Sequence, residues 1–411
     1  MKLPRSFSLF VLWSAVRCSL AHCINCLLVL SAALFLPAAL AVTAADVAAT
    51  LMPSPPQLAA SGYLLIDADS GRVLVENNAD ERLPPASLTK MMTSYIVSGE
   101  VAKGNISLDD PVPVSVKAWR MGGSKMFIRE GTSVPVGELL RGVIIQSGND
   151  ASVALAEFVA GDESAFAEVM NQQAYLLGMR GTHFRNATGW PAEGHLTTAR
   201  DLSLLARALI NDHAEHYAYY SEKEFSYNDI TQPNRNGLLW RDDSVDGIKT
   251  GHTEEAGFCL VASAKRNDMR LISVVMGAKS SRGREQETQK LLSYGFRYFE
   301  THRLYDAAEE VSGVRVWAGE SDQLSLVLPE PLILTIPKGQ QSLLEATVET
   351  NDVIVAPIQT DTPYGTLKVT LKGEVLARKQ LFAAAPIAEA GLMDRLWDHT
   401  ILFFRELIGL V

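Results

Sequence analysis

The stretch that decides how this chain folds is PPASLTKMMTSYIVSGEV, residues 84–101. Its two prolines end any preceding element, and apolar residues then recur at helical spacing: Leu88, Met91, Met92, Tyr95 and Ile96. The pattern predicts a helix over 87–101 with Ser87 and Lys90 in its first turn. At this spacing both side chains lie on one face of the helix.

A serine hydroxyl becomes a nucleophile when a neighbouring base takes its proton, and a neutral lysine can act as that base. Ser87 and Lys90 therefore form a candidate nucleophile and base. Taken alone, a Ser-x-x-Lys tetrapeptide is weak evidence, because it also arises by chance and a surface serine is the alternative.

Two further elements follow in the chain, Ser147-Gly148-Asn149 and then Lys249-Thr250-Gly251. A set of Ser-x-x-Lys, Ser-Asp-Asn and Lys-Thr-Gly is known from class A β-lactamases and penicillin-binding proteins. Here Gly148 stands in the place of the aspartate. With this glycine form, the chain resembles the low-molecular-mass D-alanyl-D-alanine carboxypeptidases, a family of penicillin-binding proteins.

The resemblance implies a role for each element. Ser87 attacks the carbonyl of the penultimate D-alanine, Lys90 is its base and Ser147 relays a proton to the leaving amine. Asn149 holds the substrate amide or Lys90, and Lys249 supplies positive potential. The backbone N–H groups of Ser87 and His252 form the oxyanion hole by the same resemblance, and no metal or other cofactor is expected.

The segment from Lys249 to His252 is predicted to be a strand edge along which the peptide lies, with Gly251 allowing close backbone approach. The free carboxylate of a terminal D-alanine needs a cationic or hydroxyl anchor. Thr250 and Arg284 take this role by resemblance. Arg282 is the rival anchor, and either arginine can instead be a solvated loop charge.

The order of the elements predicts an α/β (α+β) domain with an antiparallel sheet and a helical cluster, and the resemblance implies that this is a penicillin-binding or β-lactamase-like transpeptidase domain. Strands are predicted over 63–67, 73–75, 247–251, 257–265 and 269–277, and helices over 139–145, 151–160, 162–177, 198–211 and 290–300. The catalytic domain is assigned to 45–300, and a small all-β domain without catalytic residues to 303–386.

Residues 387–411 are predicted to form an amphipathic membrane-anchoring helix. An apolar stripe runs along it, formed by Met393, Trp397, Ile401, Phe404, Ile408 and Val411. The segment is short and charged for a membrane span, which favours a helix lying in the membrane interface. A helix packed on the β domain is the alternative.

The first 41 residues read as an export signal, because Lys2, Arg5 and Arg17 precede an apolar run over 27–42 that ends in small residues. An uncleaved N-terminal membrane helix is the alternative. Together with the tail, this predicts an exported protein attached peripherally to a membrane. The resemblance, which is to carboxypeptidases of Gram-negative cell envelopes, implies the periplasmic face of the inner membrane.

Composition excludes some functions. The 47 acidic residues outnumber the 37 basic ones, giving a formal charge of -10, and nucleic-acid binding needs the opposite sign. The sequence contains neither a His-Glu-x-x-His pattern nor a Cys/His cluster, so a zinc peptidase is disfavoured. Three of the four cysteines lie in the predicted signal, which leaves Cys259 as a buried small hydrophobe rather than a nucleophile.

The predicted function is removal of the terminal D-alanine from peptidoglycan stem peptides, in cell-wall biosynthesis and cell shape, with β-lactams as covalent inhibitors. A D,D-endopeptidase or a β-lactamase on the same scaffold is the enzymatic alternative. A β-lactamase often needs a glutamate that activates water, and Glu193 lies in no recognisable motif of that kind. A non-catalytic peptidoglycan-binding protein is the alternative from another class.

Overall fold

The computed structural model describes residues 52–407, and the predicted export signal lies outside this range. The strands are β1 Gly62–Asp67, β2 Val73–Asn77, β3 Pro111–Pro113, β4 Ser133–Pro135, β5 Glu224–Tyr227, β6 Ile230–Pro233, β7 Val245–Thr253, β8 Gly257–Arg266, β9 Met269–Ala278, β10 Phe299–Tyr305, β11 Glu310–Arg315, β12 Gln323–Val327, β13 Leu332–Pro337, β14 Leu344–Thr350, β15 Pro363–Leu371 and β16 Glu374–Ala383. The α-helices are α1 Lys90–Ala102, α2 Val116–Arg120, α3 Val136–Arg141, α4 Asn149–Ala160, α5 Glu163–Leu176, α6 Ala199–Asp212, α7 Ala214–Tyr217, α8 Ser281–Tyr298 and α9 Leu392–Leu407.

The central sheet is antiparallel and joins distant parts of the chain in the order β2-β1-β9-β8-β7. The strands predicted over 63–67 and 73–75 are confirmed as the hairpin of β1 and β2, and β1 also pairs along its length with β9, where Gly62 lies opposite Met276. One sheet therefore carries segments from both ends of the catalytic domain, and β7 lies at its edge.

The sheet is covered on both faces. Alternate side chains of β1 point to opposite sides, so Leu65 belongs to a buried cluster with Leu291 of α8, while Leu64 belongs to a second cluster with Met91 of α1 and Leu205 of α6. All six residues of β1 are buried. Its sequence is accordingly a continuous apolar run rather than an alternation of apolar and polar residues.

The helix predicted over 87–101 is confirmed, but it opens as a 3₁₀ turn over Ala86–Thr89 before α1 begins. The helix predicted over 290–300 was placed too late. Helix α8 starts at Ser281, where the Ser280 hydroxyl accepts a hydrogen bond from Gly283 N at 2.9 Å. Glycine and charged residues in this first turn interrupt the apolar periodicity on which the prediction relied.

The all-β domain is confirmed as a five-stranded antiparallel sheet in the order β11-β12-β16-β15-β14, with β10 and β13 paired beside it. Leu326, Leu367 and Leu381 are fully buried in its core. At its junction with the catalytic domain, Thr301 Oγ1 of β10 donates to the Asp67 carboxylate at 2.7 Å, and Ser70 Oγ lies 2.6 Å from Thr335 Oγ1 of β13.

Helix α9 touches the β domain with polar side chains. Asp398 Oδ2 accepts a hydrogen bond from Ala318 N at 2.7 Å, and the Arg405 guanidinium lies 5.5 Å from the centre of the Trp317 ring. Most of its apolar side chains stay exposed, with Met393 at 78% and Leu407 at 70%, while Ile401 and Leu402 are half-buried.

Between Met52 and Leu407, each helix is too short or too polar to cross a bilayer.

Candidate active site

The 3₁₀ turn at residues 86–89 sets the distance between the predicted nucleophile and base. Three residues complete a turn of this helix, so Ser87 and Lys90 lie one above the other. Lys90 Nζ lies 3.2 Å from Ser87 Oγ. Ala86, just before the nucleophile, has a φ of 47°, a left-handed conformation that is uncommon for alanine and marks a constrained turn.

Two oxygen atoms hold the Lys90 amine from the other side. Nζ lies 2.7 Å from Asn149 Oδ1 and 2.6 Å from the Thr188 carbonyl oxygen. The amide of Asn149 is oriented by its nitrogen, which donates to Gly122 O at 2.8 Å. The Asn149 and Thr188 oxygen atoms can only accept hydrogen bonds, and the Lys90 side chain is 1% exposed.

Burial changes the protonation of this lysine. Burial, with a smaller contribution from the Arg235 guanidinium, lowers the pKa of Lys90 from 10.5 to about 7, against the opposing effect of the Asp150 carboxylate. A large fraction of Lys90 is consequently neutral near pH 7.

Ser147 follows a π-helical turn over Gly142–Gln146 and has a φ of 66°. Its hydroxyl is buried and has no hydrogen-bond partner within residues 52–407. An unpaired buried hydroxyl is costly, which marks it as a group reserved for a ligand.

The glycine at 148 has a steric reason. A Cβ atom there would lie 2.9 Å from Asp150 Oδ1 and 3.1 Å from Met126 N. The Asp150 carboxylate uses this space to accept hydrogen bonds from Met126 N and Phe127 N, both at 2.8 Å. Asp150 thereby fixes the loop over 122–128 that forms one wall of the cleft.

Strand β7 brings the third motif to the same place. Thr250, Gly251 and His252 line the cleft, and a Cβ atom on Gly251 would lie 3.1 Å from Pro85 O. Lys249 is buried beneath them, and its Nζ donates to Thr250 O at 3.3 Å. Burial holds the pKa of Lys249 well below its usual range, and the charges of Lys90, Arg235 and Arg284 act in the same direction.

These residues enclose a cleft of about 690 Å³ whose wall also includes Ser87, Ser147, Arg235 and Arg284. Arg284 is buried on α8, donates to Gly251 O at 3.1 Å and has an Nε with no partner among the described residues. Its rival Arg282 is exposed and does not line the cleft. The guanidinium groups of Arg235 and Arg284 keep their charge even when partly buried, so they give the cleft a positive potential.

Sequence reasoning missed Arg235, because no motif contains it. Its only sequence signal is the pair of asparagines around it. Both are buried; Asn236 Nδ2 donates to Gly247 O at 3.0 Å, and Asn234 Oδ1 accepts from Asn236 N at 3.0 Å. These bonds fix the backbone that presents Arg235 to the cleft.

His195, in the loop before α6, is 4% exposed and lies against the 3₁₀ turn at residues 86–89. Its Nδ1 accepts from Arg185 N at 3.2 Å, so its Nε2 carries the proton and donates to Thr89 Oγ1 at 2.9 Å. Burial lowers the pKa of His195 to about 4 and keeps it neutral. Glu193, in contrast, lines a separate cavity of about 470 Å³ with Trp190 and Glu255.

Cys259 is fully buried in β8, and burial raises the pKa of its thiol to about 11. A thiol in this state is a poor nucleophile.

Comparisons with known proteins give a consistent result. A family model described as D-alanyl-D-alanine carboxypeptidase matches residues 49–280, and one described as the C-terminal domain of penicillin-binding protein 5 matches residues 299–389. D-alanyl-D-alanine carboxypeptidase DacA of Escherichia coli is 44% identical over 88% of this chain and 91% of its own length. The enzyme of the same name from Haemophilus influenzae is 42% identical over 91% and 98%.

Solved structures agree. The crystal structure of penicillin-binding protein 5 from Haemophilus influenzae superposes with a TM-score of 0.80 at 42% identity, covering 82% of this chain and 100% of that one. The ampicillin-bound form of penicillin-binding protein D2 from Listeria monocytogenes gives 0.55 at 31% identity, covering 59% and 100%.

The protonation of Lys90 predicts a pH dependence. Acylation by penicillin should rise with pH through a midpoint near 7, as Lys90 loses its proton. Arg235→Gln removes a positive charge that disfavours the ammonium form, so the midpoint should move to higher pH by about one unit at low salt. The measurement is the acylation rate constant from pH 5 to 10.

Arg241→Gln is the matched control, because Arg241 pairs with Glu285 and lies outside the cleft lining. Its midpoint should equal that of the unmodified protein. An unmoved midpoint in Arg235→Gln would show that Arg235 does not influence the base.

Proposed function

The chain belongs to the D-alanyl-D-alanine carboxypeptidase family and is a serine-type D-alanyl-D-alanine carboxypeptidase, and we propose that Ser87 is its nucleophile and Lys90 its general base. The observation that carries this assignment is the arrangement of atoms around Lys90 Nζ. A neutral amine has two N–H bonds and one lone pair. Asn149 Oδ1 and Thr188 O accept hydrogen bonds from the two N–H groups, which leaves the lone pair for the hydroxyl of Ser87.

In the acylation step, Ser87 Oγ attacks the carbonyl carbon of the penultimate D-alanine while Lys90 takes the hydroxyl proton. The carbonyl oxygen becomes an oxyanion, which the backbone N–H groups of Ser87 and His252 stabilise. Collapse of this intermediate breaks the peptide bond and leaves the peptide as an ester on Ser87. Water then hydrolyses the ester and regenerates the hydroxyl.

The leaving amine of the terminal D-alanine needs a proton. We assign its delivery to Ser147, whose buried hydroxyl has no partner among the described residues and lines the same cleft. The proton that Lys90 took from Ser87 can pass through this hydroxyl to the amine, so the reaction neither gains nor loses a proton.

The substrate peptide lies along the edge of β7, as an added strand would. Its terminal carboxylate is held by Thr250 and Arg284, with Arg235 as a second cation on the cleft wall. An anion in this position favours the charged form of Lys249 and offsets the effect of burial on that side chain. Asn149 remains with Lys90, to which it is bonded at 2.7 Å.

The alternatives fit less well. Rapid hydrolysis of a penicillin ester needs a base for the attacking water, and Glu193 lies on the wall of the second cavity rather than in the cleft lining with Ser87. The family match and the relatives favour the carboxypeptidase over an endopeptidase, a β-lactamase or a silent binding protein. We therefore expect penicillins to acylate Ser87 and to leave it slowly.

We also propose that the enzyme is exported and is held on the periplasmic face of the inner membrane by α9. The support is the orientation of that helix. Asp398 and Arg405 contact the β domain, and most of the apolar side chains, among them Met393, Trp397 and Leu407, are exposed, with nothing among the described residues covering them. An exposed apolar stripe of this kind is suited to the interface of a lipid bilayer.

The central test is chemical. The purified enzyme should release free D-alanine from a muropeptide ending in D-Ala-D-Ala, and penicillin should add its mass to the peptide that contains Ser87. Ser87→Ala should abolish both results, while Ser152→Ala, a buried serine outside the cleft lining, should retain the adduct. Absence of D-alanine release and of an adduct in the unmodified enzyme would refute the assignment.

The carboxylate anchor is tested by Arg284→Gln. Loss of the ion pair with the substrate carboxylate should lower kcat/KM for the peptide by about a hundredfold, because a hydrogen-bonded charge pair is worth roughly 3 kcal/mol. Arg282→Gln is the control and should leave kcat/KM unchanged. The reverse pattern would assign the anchor to Arg282.

Membrane attachment is tested by deletion of residues 391–411. The shortened enzyme should appear in the soluble fraction with unchanged kcat, because α9 contributes no residue to the cleft. Trp397→Glu, on the exposed stripe, should also weaken binding to lipid vesicles, while Asp394→Ala should not. Retention of the shortened, signal-processed enzyme on membranes would contradict the proposal.

A further inference from the structure

The loop over 185–195 contains a single side chain that organises its sharpest part. Asn186 Oδ1 accepts hydrogen bonds from Thr188 N at 3.1 Å, Thr188 Oγ1 at 2.9 Å, Gly189 N at 2.8 Å and Trp190 N at 3.1 Å. Its Nδ2 donates to Trp190 O at 2.9 Å. One side chain thus satisfies most of the polar groups of a turn that lies beside the general base.

The turn meets the nucleophile segment at several points. Thr188 O accepts from Lys90 Nζ at 2.6 Å, and Ala187 O accepts from Thr93 Oγ1 at 2.7 Å. Gly189 approaches so closely that a Cβ atom on it would lie 1.7 Å from Ala86 O. The contacts of Ala187 and Gly189 fix the position of the turn, whereas the contact of Thr188 also requires its carbonyl to point at Lys90 Nζ.

That direction is set by one peptide plane. The carbonyl of Thr188 and the N–H of Gly189 belong to the same planar peptide unit and point in opposite directions. A bond that holds the Gly189 N–H therefore also aims the Thr188 carbonyl. Because Gly189 has a φ of 81° and glycine adopts many backbone conformations, this peptide would otherwise rotate at low cost.

We propose that Asn186 is a positioning residue for the general base: by holding the N–H of Gly189 it aims the Thr188 carbonyl at Lys90 Nζ and so turns the lone pair of the amine toward Ser87. The inference rests on the proposed roles of Ser87 and Lys90. Asn186 itself does not line the cleft. It acts through the peptide between Thr188 and Gly189.

The other groups that influence Lys90 come from different elements and stay in place when Asn186 is changed. Asn149 and Asp150 lie on α4, Arg235 precedes β7 and Lys249 lies within it, and the neutral His195 ends the loop. A change at residue 186 therefore alters the geometry of the base without removing any of its charged neighbours.

The test compares Asn186→Ala with the unmodified enzyme. The kcat of the variant should be tenfold to hundredfold lower at every pH, because a shift of about 1 Å in a catalytic group has an effect of that size. KM for the peptide should not change, since the carboxylate anchors are untouched. The rate of penicillin acylation should fall by the same factor as kcat.

The chain offers a matched control in Asn171. Its side chain accepts from Phe184 N at 2.7 Å and donates to Phe184 O at 2.9 Å, so it holds the backbone two residues before Asn186. Asn171→Ala should lower the melting temperature to a similar extent and leave kcat unchanged. Equal losses of kcat in the two variants would reduce the role of Asn186 to general stability and overturn the proposal.

Asn186→Asp is the conservative variant. It keeps the oxygen that accepts the bond from Gly189 N, so the plateau of kcat at high pH should be close to that of the unmodified enzyme. The added negative charge near Lys90 favours the ammonium form, which raises the pKa of the base and moves the acidic limb to higher pH. A plateau as low as that of Asn186→Ala would contradict the role of this oxygen.

If Asn186→Ala does not fold, Asn186→Gln gives the same readout, because its longer side chain displaces the accepting oxygen. Unchanged kcat in a folded Ala or Gln variant overturns the inference. This failure is distinct from failure of the proposed function, in which the unmodified enzyme itself would form no penicillin adduct on Ser87.

Discussion

The buried amine of Lys90 is the constraint on which the rest of the catalytic domain depends. A lysine acts as a base only when its neutral form is accessible. Burial lowers the pKa of the amine and so makes this form accessible, but it also removes a polar group from water, which costs free energy unless the group is hydrogen-bonded. Asn149 and the Thr188 carbonyl satisfy that group without giving it a countercharge. An aspartate at position 149 would instead have placed a negative charge against Nζ and favoured the ammonium ion.

Electrostatics in the cleft follow from the same requirement. Arg235 and Arg284 line the cleft, where we propose that they attract the substrate carboxylate, and the charge of Arg235 also disfavours protonation of Lys90. Two lysines in one buried site repel each other, and burial already disfavours the charge on each. The guanidinium groups remain charged under conditions in which an ammonium would not, which explains why arginine occupies the wall of the cleft.

The sequence allowed the sheet, the nucleophile helix and the three motifs to be predicted, because each leaves a local pattern of periodicity or spacing. The family match confirms the fold and the activity that these patterns indicated. Arg235, Asp150 and the Thr188 carbonyl were missed for one reason. Their importance depends on where the chain returns in space, and a backbone carbonyl has no residue type by which it can be found.

The start of α8 was missed for a local reason. Its first turn carries glycine and charged residues, which break the apolar periodicity, and its helical state depends on the Ser280 cap. Gly189 offers a last consequence. There is no space for a side chain between Gly189 and Ala86 O. A substitution in the turn would therefore have to be matched by a change in the segment that carries Ser87. Substitutions in this loop are then tolerated best at exposed side chains such as Glu193, whose replacement leaves the close approach of Gly189 to Ala86 O undisturbed.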